Sequence, residues 1–241
     1  MCPQYSNLLF AAAGIFCYSL GMDKDMQLLQ QNARALGLAL NEQQLAHFDV
    51  YQNELLLWNA KTNLISEKTA PDIVSRHFLD SLTALPFISN KKANLLDIGT
   101  GAGFPGLPLK IACPDLRIYL LEANRRKVSF LKHIIRLLNI QDAQVIHDRV
   151  EKALQDTNWR AFFNIVISRA TFKMADLLPW SDSFLAPEGE LIAFKGPSLP
   201  EELAQCPRDS FPYNIYEYYQ HDINYPFFDF PRKIIIGKRI K

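Results

Sequence analysis

The residues best suited to chemistry lie in one short string, Leu95-Leu96-Asp97-Ile98-Gly99-Thr100-Gly101-Ala102-Gly103-Phe104-Pro105-Gly106. Its glycines let backbone approach a ligand closely and take turns that other residues resist. One carboxylate, Asp97, stands just before them. A second, Glu122, ends the next apolar run, where it can accept from both hydroxyls of a ribose. Strand, glycine loop and helix in that order form a nucleotide-binding device. Gly101, Gly103 and Gly106 also fit the shorter dinucleotide fingerprint GxGxxG, so an NAD(P)-dependent oxidoreductase is one reading of these residues.

The elements that must hold this loop follow from periodicity. Residues 24–37 read as a helix stopped by Gly37, and Asn41 caps a second helix over 42–60. A third helix is expected from Thr69-Ala70-Pro71 to about Leu85, so residues 22–90 form an N-terminal helical cap. From residue 94 the pattern changes. Short apolar runs at 95–98, 117–122, 143–147, 162–168 and 190–195 alternate with helical stretches, and two β-rich runs follow at 213–219 and 233–236. This predicts an α/β fold, a doubly wound, mostly parallel sheet of seven strands over residues 91–241.

Composition narrows the function classes. The chain has 241 residues, 26 basic against 25 acidic, and 49% hydrophobic, so it is neither disordered nor a globally basic coat for nucleic acid. The charge is uneven, with 5 basic and 8 acidic residues up to position 90 and 21 and 17 beyond, so a polyanion should meet the second part. Cys2, Cys17, Cys113 and Cys206 show no CxxC spacing, and the five histidines are scattered. Reduced thiols in a cytoplasmic protein and no metal site are expected. The apolar run Leu8–Leu20 is short for a membrane span and lacks preceding basic residues. Residues 1–21 are therefore read as a non-essential extension before Met22, with no stable membrane association and a monomeric protein.

The alternation Asp97-x-Gly99-x-Gly101-x-Gly103 resembles motif I of the S-adenosylmethionine-dependent methyltransferases, in which the loop wraps the methionine part of the cofactor. The strings RHFLDS (76–81), LLDIGTGAGFPGLPL (95–109), DRVEKA (148–153), ISRA (167–170) and AFKG (193–196) occur in that order. Together they resemble the bacterial small-subunit ribosomal RNA guanine-N7 methyltransferase family, also called glucose-inhibited division protein B, over about residues 45–240. The resemblance implies a Rossmann-like methyltransferase sheet, S-adenosyl-L-methionine as cofactor, and 16S ribosomal RNA or the small ribosomal subunit as partner. It implies cofactor contacts at Gly99, Gly101, Gly103, Phe104, Glu122, Val150, Glu151 and Arg169. Glu122 stands where many relatives have Asp, and GAGFPG stands where some have GPGLPG.

Guanine N7 is a lone-pair acceptor on the major-groove edge and carries no proton that must leave. Such a transfer needs no strong base, and alignment of the reacting atoms supplies most of the acceleration. No catalytic base is expected, and Arg169 has a supporting role. The place after strand four reads ISRA, without the NPPY-like string of amine methylation or the cysteine of C5-cytosine methylation. Candidate RNA contacts are Arg76, His77, Arg125, Arg126, Lys132, Arg136, Lys195 and Arg232, with Lys127 beside the pair that opens its helix. The aromatic segment 211–225 and Trp58, Trp159 and Trp180 are expected to pack rather than to stack on bases.

Overall fold

Gly37 and Asn41 divide the N-terminal region as the pattern predicts. In the computed structural model, which describes residues 23–169, 172–204 and 216–239, helix α1 (Lys24–Ala35) runs out just before Gly37, whose φ is 75°. Helix α2 (Glu42–Thr62) opens with a reciprocal capping box. The Gln44 amide N–H donates to Asn41 Oδ1 at 2.8 Å, and the Asn41 N–H donates to Gln44 Oε1 at 2.9 Å. Leu45, Phe48, Tyr51 and Leu55 form the buried stripe of α2. The expected extension and Met22 lie outside the described residues, among which no helix is long and apolar enough to cross a membrane.

The third helix departs from expectation. It is a 3-10 turn (Ala70–Asp72), a π-helical turn (Val74–Leu79), a single α turn α3 (Asp80–Leu82) and a second 3-10 turn (Leu85–Phe87). Residues 77–85 are buried without a break, because this segment lies within the core and has no solvent face. A helix buried all round carries no amphipathic period, so its irregular winding left no trace in the pattern. The wider π turn carries His77, and Asp80 follows it directly.

The sheet has the order β3-β2-β1-β4-β5-β7-β6. Strands β1 (Asn94–Ile98), β2 (Arg117–Glu122), β3 (Ala143–His147), β4 (Phe163–Arg169) and β5 (Leu185–Lys195) are parallel. Strand β7 (Arg232–Arg239) runs antiparallel to both β5 and β6 (Tyr216–Ile223). The crossovers are α4 (Gly106–Ala112), α5 (Arg125–Leu137), the short α6 (Val150–Ala153) and α7 (Met174–Phe184). Helix α8 (Leu199–Ala204) occupies a stretch that its sequence marks only as polar. Strand order reverses between β1 and β4, and ligands bind such sheets outside the carboxyl ends of the strands at that reversal.

The cap is continuous with the sheet. One core cluster runs from Met26, Leu29, Phe48 and Phe78 to Leu107, Ile118 and Ile192. Leu96, Val166, Phe184 and Leu191 belong to a second cluster. Tyr218 and Tyr225 pack against these clusters, whereas Tyr219 of the same segment is exposed, and residues 211–215 lie outside the described residues.

Candidate active site

A cavity of about 510 Å³ opens at this reversal, lined on one side by Gly99, Thr100, Gly101, Ala102 and Phe104. Its size is that of a small-molecule site. The loop takes positive φ at Gly99 (70°), Gly101 (64°) and Gly103 (107°), which residues with a Cβ resist. The three glycines have different tasks. A Cβ at Gly101 meets nothing nearer than Lys127 Nζ at 3.9 Å. At Gly103 it meets Leu107 Cδ1 at 2.5 Å and Tyr51 Oη at 2.7 Å. Gly103 is therefore a packing position beneath the loop, and it is not among the residues that line the cavity.

The loop is held from below and from the side. Asp97, fully buried, accepts from Thr100 Oγ1 at 2.6 Å and from the Gly106 N–H at 2.8 Å. Burial pushes its carboxyl up to about 7, against the pull of those two hydrogen bonds. Glu122 accepts from the Gly101 N–H (2.9 Å) and the Asn124 N–H (2.7 Å) and lines the cavity. Each of its oxygens retains a second lone pair for a ribose hydroxyl. Asp148, Arg149, Val150 and Glu151 complete this side, so Val150 and Glu151 stand on the cavity wall.

Tyr51 reaches the loop from α2. Its hydroxyl donates to the Ala102 carbonyl at 2.6 Å, and its ring stacks on Phe104 at 5.5 Å. The sequence held a signal for this: Tyr51 occupies a position of the apolar stripe, three after Phe48 and four before Leu55, so its polar tip had to find a buried partner. Tyr51→Phe leaves a buried carbonyl without its donor, at a cost of about 1–3 kcal/mol. We expect KM for the cofactor to rise several-fold with kcat nearly unchanged in steady-state assays. An unaltered KM contradicts this role.

Arg169, at the end of β4, also lines the cavity. Its guanidinium donates to the Arg76 carbonyl (3.0 Å), to Asp80 Oδ2 (3.1 Å) and to His77 Nδ1 (2.9 Å), and lies 5.0 Å from the centre of the Phe104 ring. His77 stacks on Phe104 at 4.7 Å. Burial, then the charges of Arg169, Arg76 and Arg232, lowers its pKa to about 3, so the imidazole is neutral at physiological pH.

The other expected RNA contacts separate. Arg125, Arg126, Lys132 and Arg136 are exposed on α5, opposite its buried Val128, Leu131 and Ile134, and none lines this cavity. Lys127, third in the Arg-Arg-Lys run, does line it. Lys195 corrects the expectation: it is 3% exposed, with Nζ held by Glu202 (2.7 Å) and the Phe172 carbonyl (2.6 Å). Arg232 is likewise committed, with Nε and Nη2 donating to Asp80 Oδ1 and Oδ2 at 2.7 and 2.8 Å. Arg76 pairs with Asp229 at 2.7 Å and with Asp72 at 3.6 Å. The pairs Arg232–Asp80 and Arg76–Asp229 join segments far apart in the chain, which the types of charge alone could not announce.

The buried Asp97 gives a pH test. Between its unfolded value near 3.8 and its folded value of about 7, the native state keeps a proton that the unfolded chain has released. The stability from this group is present below about 3.8 and is lost as pH rises through about 7. Wild-type stability relative to Asp97→Asn should therefore fall from about pH 4 to about pH 8 in urea unfolding. Parallel pH curves for the two proteins contradict the assignment.

Mostly parallel sheet, reversal point, glycine loop and strand-end carboxylate together define a Rossmann-like fold with a nucleotide-cofactor site. The fold matches an S-adenosylmethionine-dependent methyltransferase from Aquifex aeolicus (14% identity, TM-score 0.53, covering 70% of this chain and 94% of that one). It also matches a ribosomal protein L11 methylase from Lactobacillus delbrueckii subsp. bulgaricus (15% identity, TM-score 0.51, covering 67% and 77%). Residues 44–219 match the family rRNA small subunit methyltransferase G (GidB), and the chain belongs to it. The ribosomal RNA small subunit methyltransferase G of Syntrophus aciditrophicus is 43% identical over 178 residues, covering 73% of this chain and 74% of its own. That of Acetivibrio thermocellus is 33% identical over 216 residues, covering 89% and 88%. The dinucleotide oxidoreductase reading finds no support beside this membership.

The cavity fits S-adenosyl-L-methionine, the cofactor of this family. The open face of Gly101 leaves room for main-chain approach, and Glu122 offers acceptors for ribose hydroxyls. Leu121 and Val150 supply apolar wall, and the acids Glu122, Asp148 and Glu151 share the rest of it with Lys127, Arg149 and Arg169.

Proposed function

We propose that the protein transfers the methyl group of S-adenosyl-L-methionine to N7 of a guanine in 16S ribosomal RNA, with that RNA or the small ribosomal subunit as its partner. The carrying observation is the family match, which spans every loop that lines the cavity. When bound, the cofactor supplies a methyl already activated by the sulfonium. With it bound, transfer to the N7 lone pair would form an N–C bond at the expense of the C–S bond, sulfur keeping that electron pair, and no proton would leave the base.

The chain's own residues suit this demand. His77, at about 3, takes no proton near neutral pH, and Glu122 is engaged by two backbone amides. The wall thus binds and orients, which is what an acceptor without a leaving proton requires. Asp97, Tyr51 and Glu122 hold the loop at fixed height, and Gly99, Phe104, Val150 and Glu151 frame the donor. Exposed Arg125, Arg126, Lys132 and Arg136 supply phosphate contacts in this reading, and the protein acts as a monomer without stable membrane association. Mass-spectrometric mapping of rRNA from a deletion strain tests the assignment. One N7-methylguanine of the small-subunit RNA is expected to vanish; persistence of all of them at full level overturns it.

A further inference from the structure

The same cavity takes wall from Leu64, Ile65, His77 and Phe172, none of which the cofactor assignment uses. Three are apolar or aromatic, a lining suited to the faces of a planar base. The fourth carries an unexplained donor. A guanidinium can only donate, so His77 Nδ1, which faces Arg169 Nη2, is the accepting nitrogen. In a neutral imidazole the proton then resides on Nε2. That nitrogen is buried and has no hydrogen-bond partner, while His77 as a whole is 8% exposed. Buried donors are nearly always satisfied, so one left unpaired on a side chain that lines a ligand cavity calls for an acceptor on a ligand.

We propose that His77 reads the acceptor base: its Nε2–H donates to O6 of the guanine, which presents the adjacent N7 to the methyl donor, while Leu64, Ile65 and Phe172 flank the base. This rests on the guanine-N7 reading above and adds how the base is told apart. Guanine offers two neighbouring acceptors, O6 and N7, on its major-groove edge, whereas adenine places an amine beside N7. A neutral N–H donates to guanine O6 and meets the adenine amine donor to donor. Reaching the cavity takes a nucleotide turned out of any stack, so the substrate is an unpaired or flipped guanine.

The test compares wild type, His77→Gln and His77→Leu. Glutamine offers an acceptor to Arg169 and a donor to the ligand; leucine offers neither. With small-subunit rRNA as substrate we expect the Leu variant to lose roughly 30-fold or more in turnover and the Gln variant to stay within about 5-fold of wild type, as for one hydrogen bond to a buried group. Cofactor Kd by calorimetry should stay within about 3-fold in both. Undiminished turnover in the Leu variant overturns the proposal. So does a Leu variant with weakened cofactor binding but normal turnover at saturation, or a Gln variant as inactive as Leu. Should the Leu variant fail to fold, wild type decides on RNA carrying 2-aminopurine, which keeps N7 and lacks O6, at the methylated position. A comparable loss supports the proposal, and transfer as fast as to guanine overturns it. Absence of any N7-methylguanine from wild type overturns the assigned reaction and this inference with it, whereas normal wild-type transfer with an unimpaired Leu variant overturns this inference alone.

Discussion

Replacing Asp80 with alanine is expected to lower the stability of the protein by about 3–5 kcal/mol, the cost of breaking a buried ion pair from one side. Asp80 is fully buried and is the shared carboxylate of two arginines, Arg169 at 3.1 Å and Arg232 at 2.7 Å, whose side chains are 12% and 13% exposed. Without it, two guanidinium groups face each other in a dry site with no common counter-charge. At about 2–4 °C per kcal/mol for a chain of this size, the melting temperature should fall by roughly 6–20 °C. Calorimetric scans of the variant and wild type measure this, and a drop below about 2 °C refutes it. Asp80→Asn keeps an acceptor and should fall between the two. Activity should suffer in both variants, since Arg169 bonds His77 and lies against Phe104. The same carboxylate thus fixes the cavity wall and ties β7 to the broken helical segment before the sheet.

How far this was legible differs from residue to residue. The path from β1 through the glycine loop to α4, and the placement of Glu122 at the end of β2, follow from local spacing, because each step involves neighbours in the chain. Strand β2 was bounded correctly for the same reason. Asp80 and Arg232 are 152 positions apart, and Lys195 meets Glu202 across a turn into a short helix. A single sequence shows that these charges exist but not whom they face, so Lys195 and Arg232 looked available for phosphate. The packing of Gly103 is hidden for a related reason: its neighbour is Tyr51, from another helix. Lys127 was visible as a member of a basic run. Helix α5 distinguishes it: the buried side of that helix starts at Val128, so Lys127 sits at the rim of that side, half-buried, while Arg125 and Arg126 are exposed. The π turn left no periodic mark, because Val74 and residues 77–79 are buried, Ser75 and Arg76 are half-buried, and no residue of it is fully exposed to set a period.

Gly101→Val is expected to weaken S-adenosyl-L-methionine binding by about 100-fold or more, equivalent to about 2.7 kcal/mol, with the fold retained. Two effects act together. Gly101 has φ of 64°, where a β-branched residue is strained by about 1–2 kcal/mol. That strain pulls on the Gly101 N–H, which donates to Glu122 at 2.9 Å. The added carbons meet no packed protein, since the nearest atom to a Cβ is the mobile end of Lys127 at 3.9 Å, so they project into the space the cofactor needs. The protein therefore has room for the side chain and the ligand does not. Gly103→Val should do the reverse, because its Cβ meets Leu107 and the hydroxyl of Tyr51, and the loss appears first in stability. Calorimetric titration and thermal melting of both variants separate the two effects. Binding within about 3-fold of wild type in Gly101→Val means that the donor does not lie along this loop, because only a ligand pressed against the main chain at residue 101 is displaced by so small a branch.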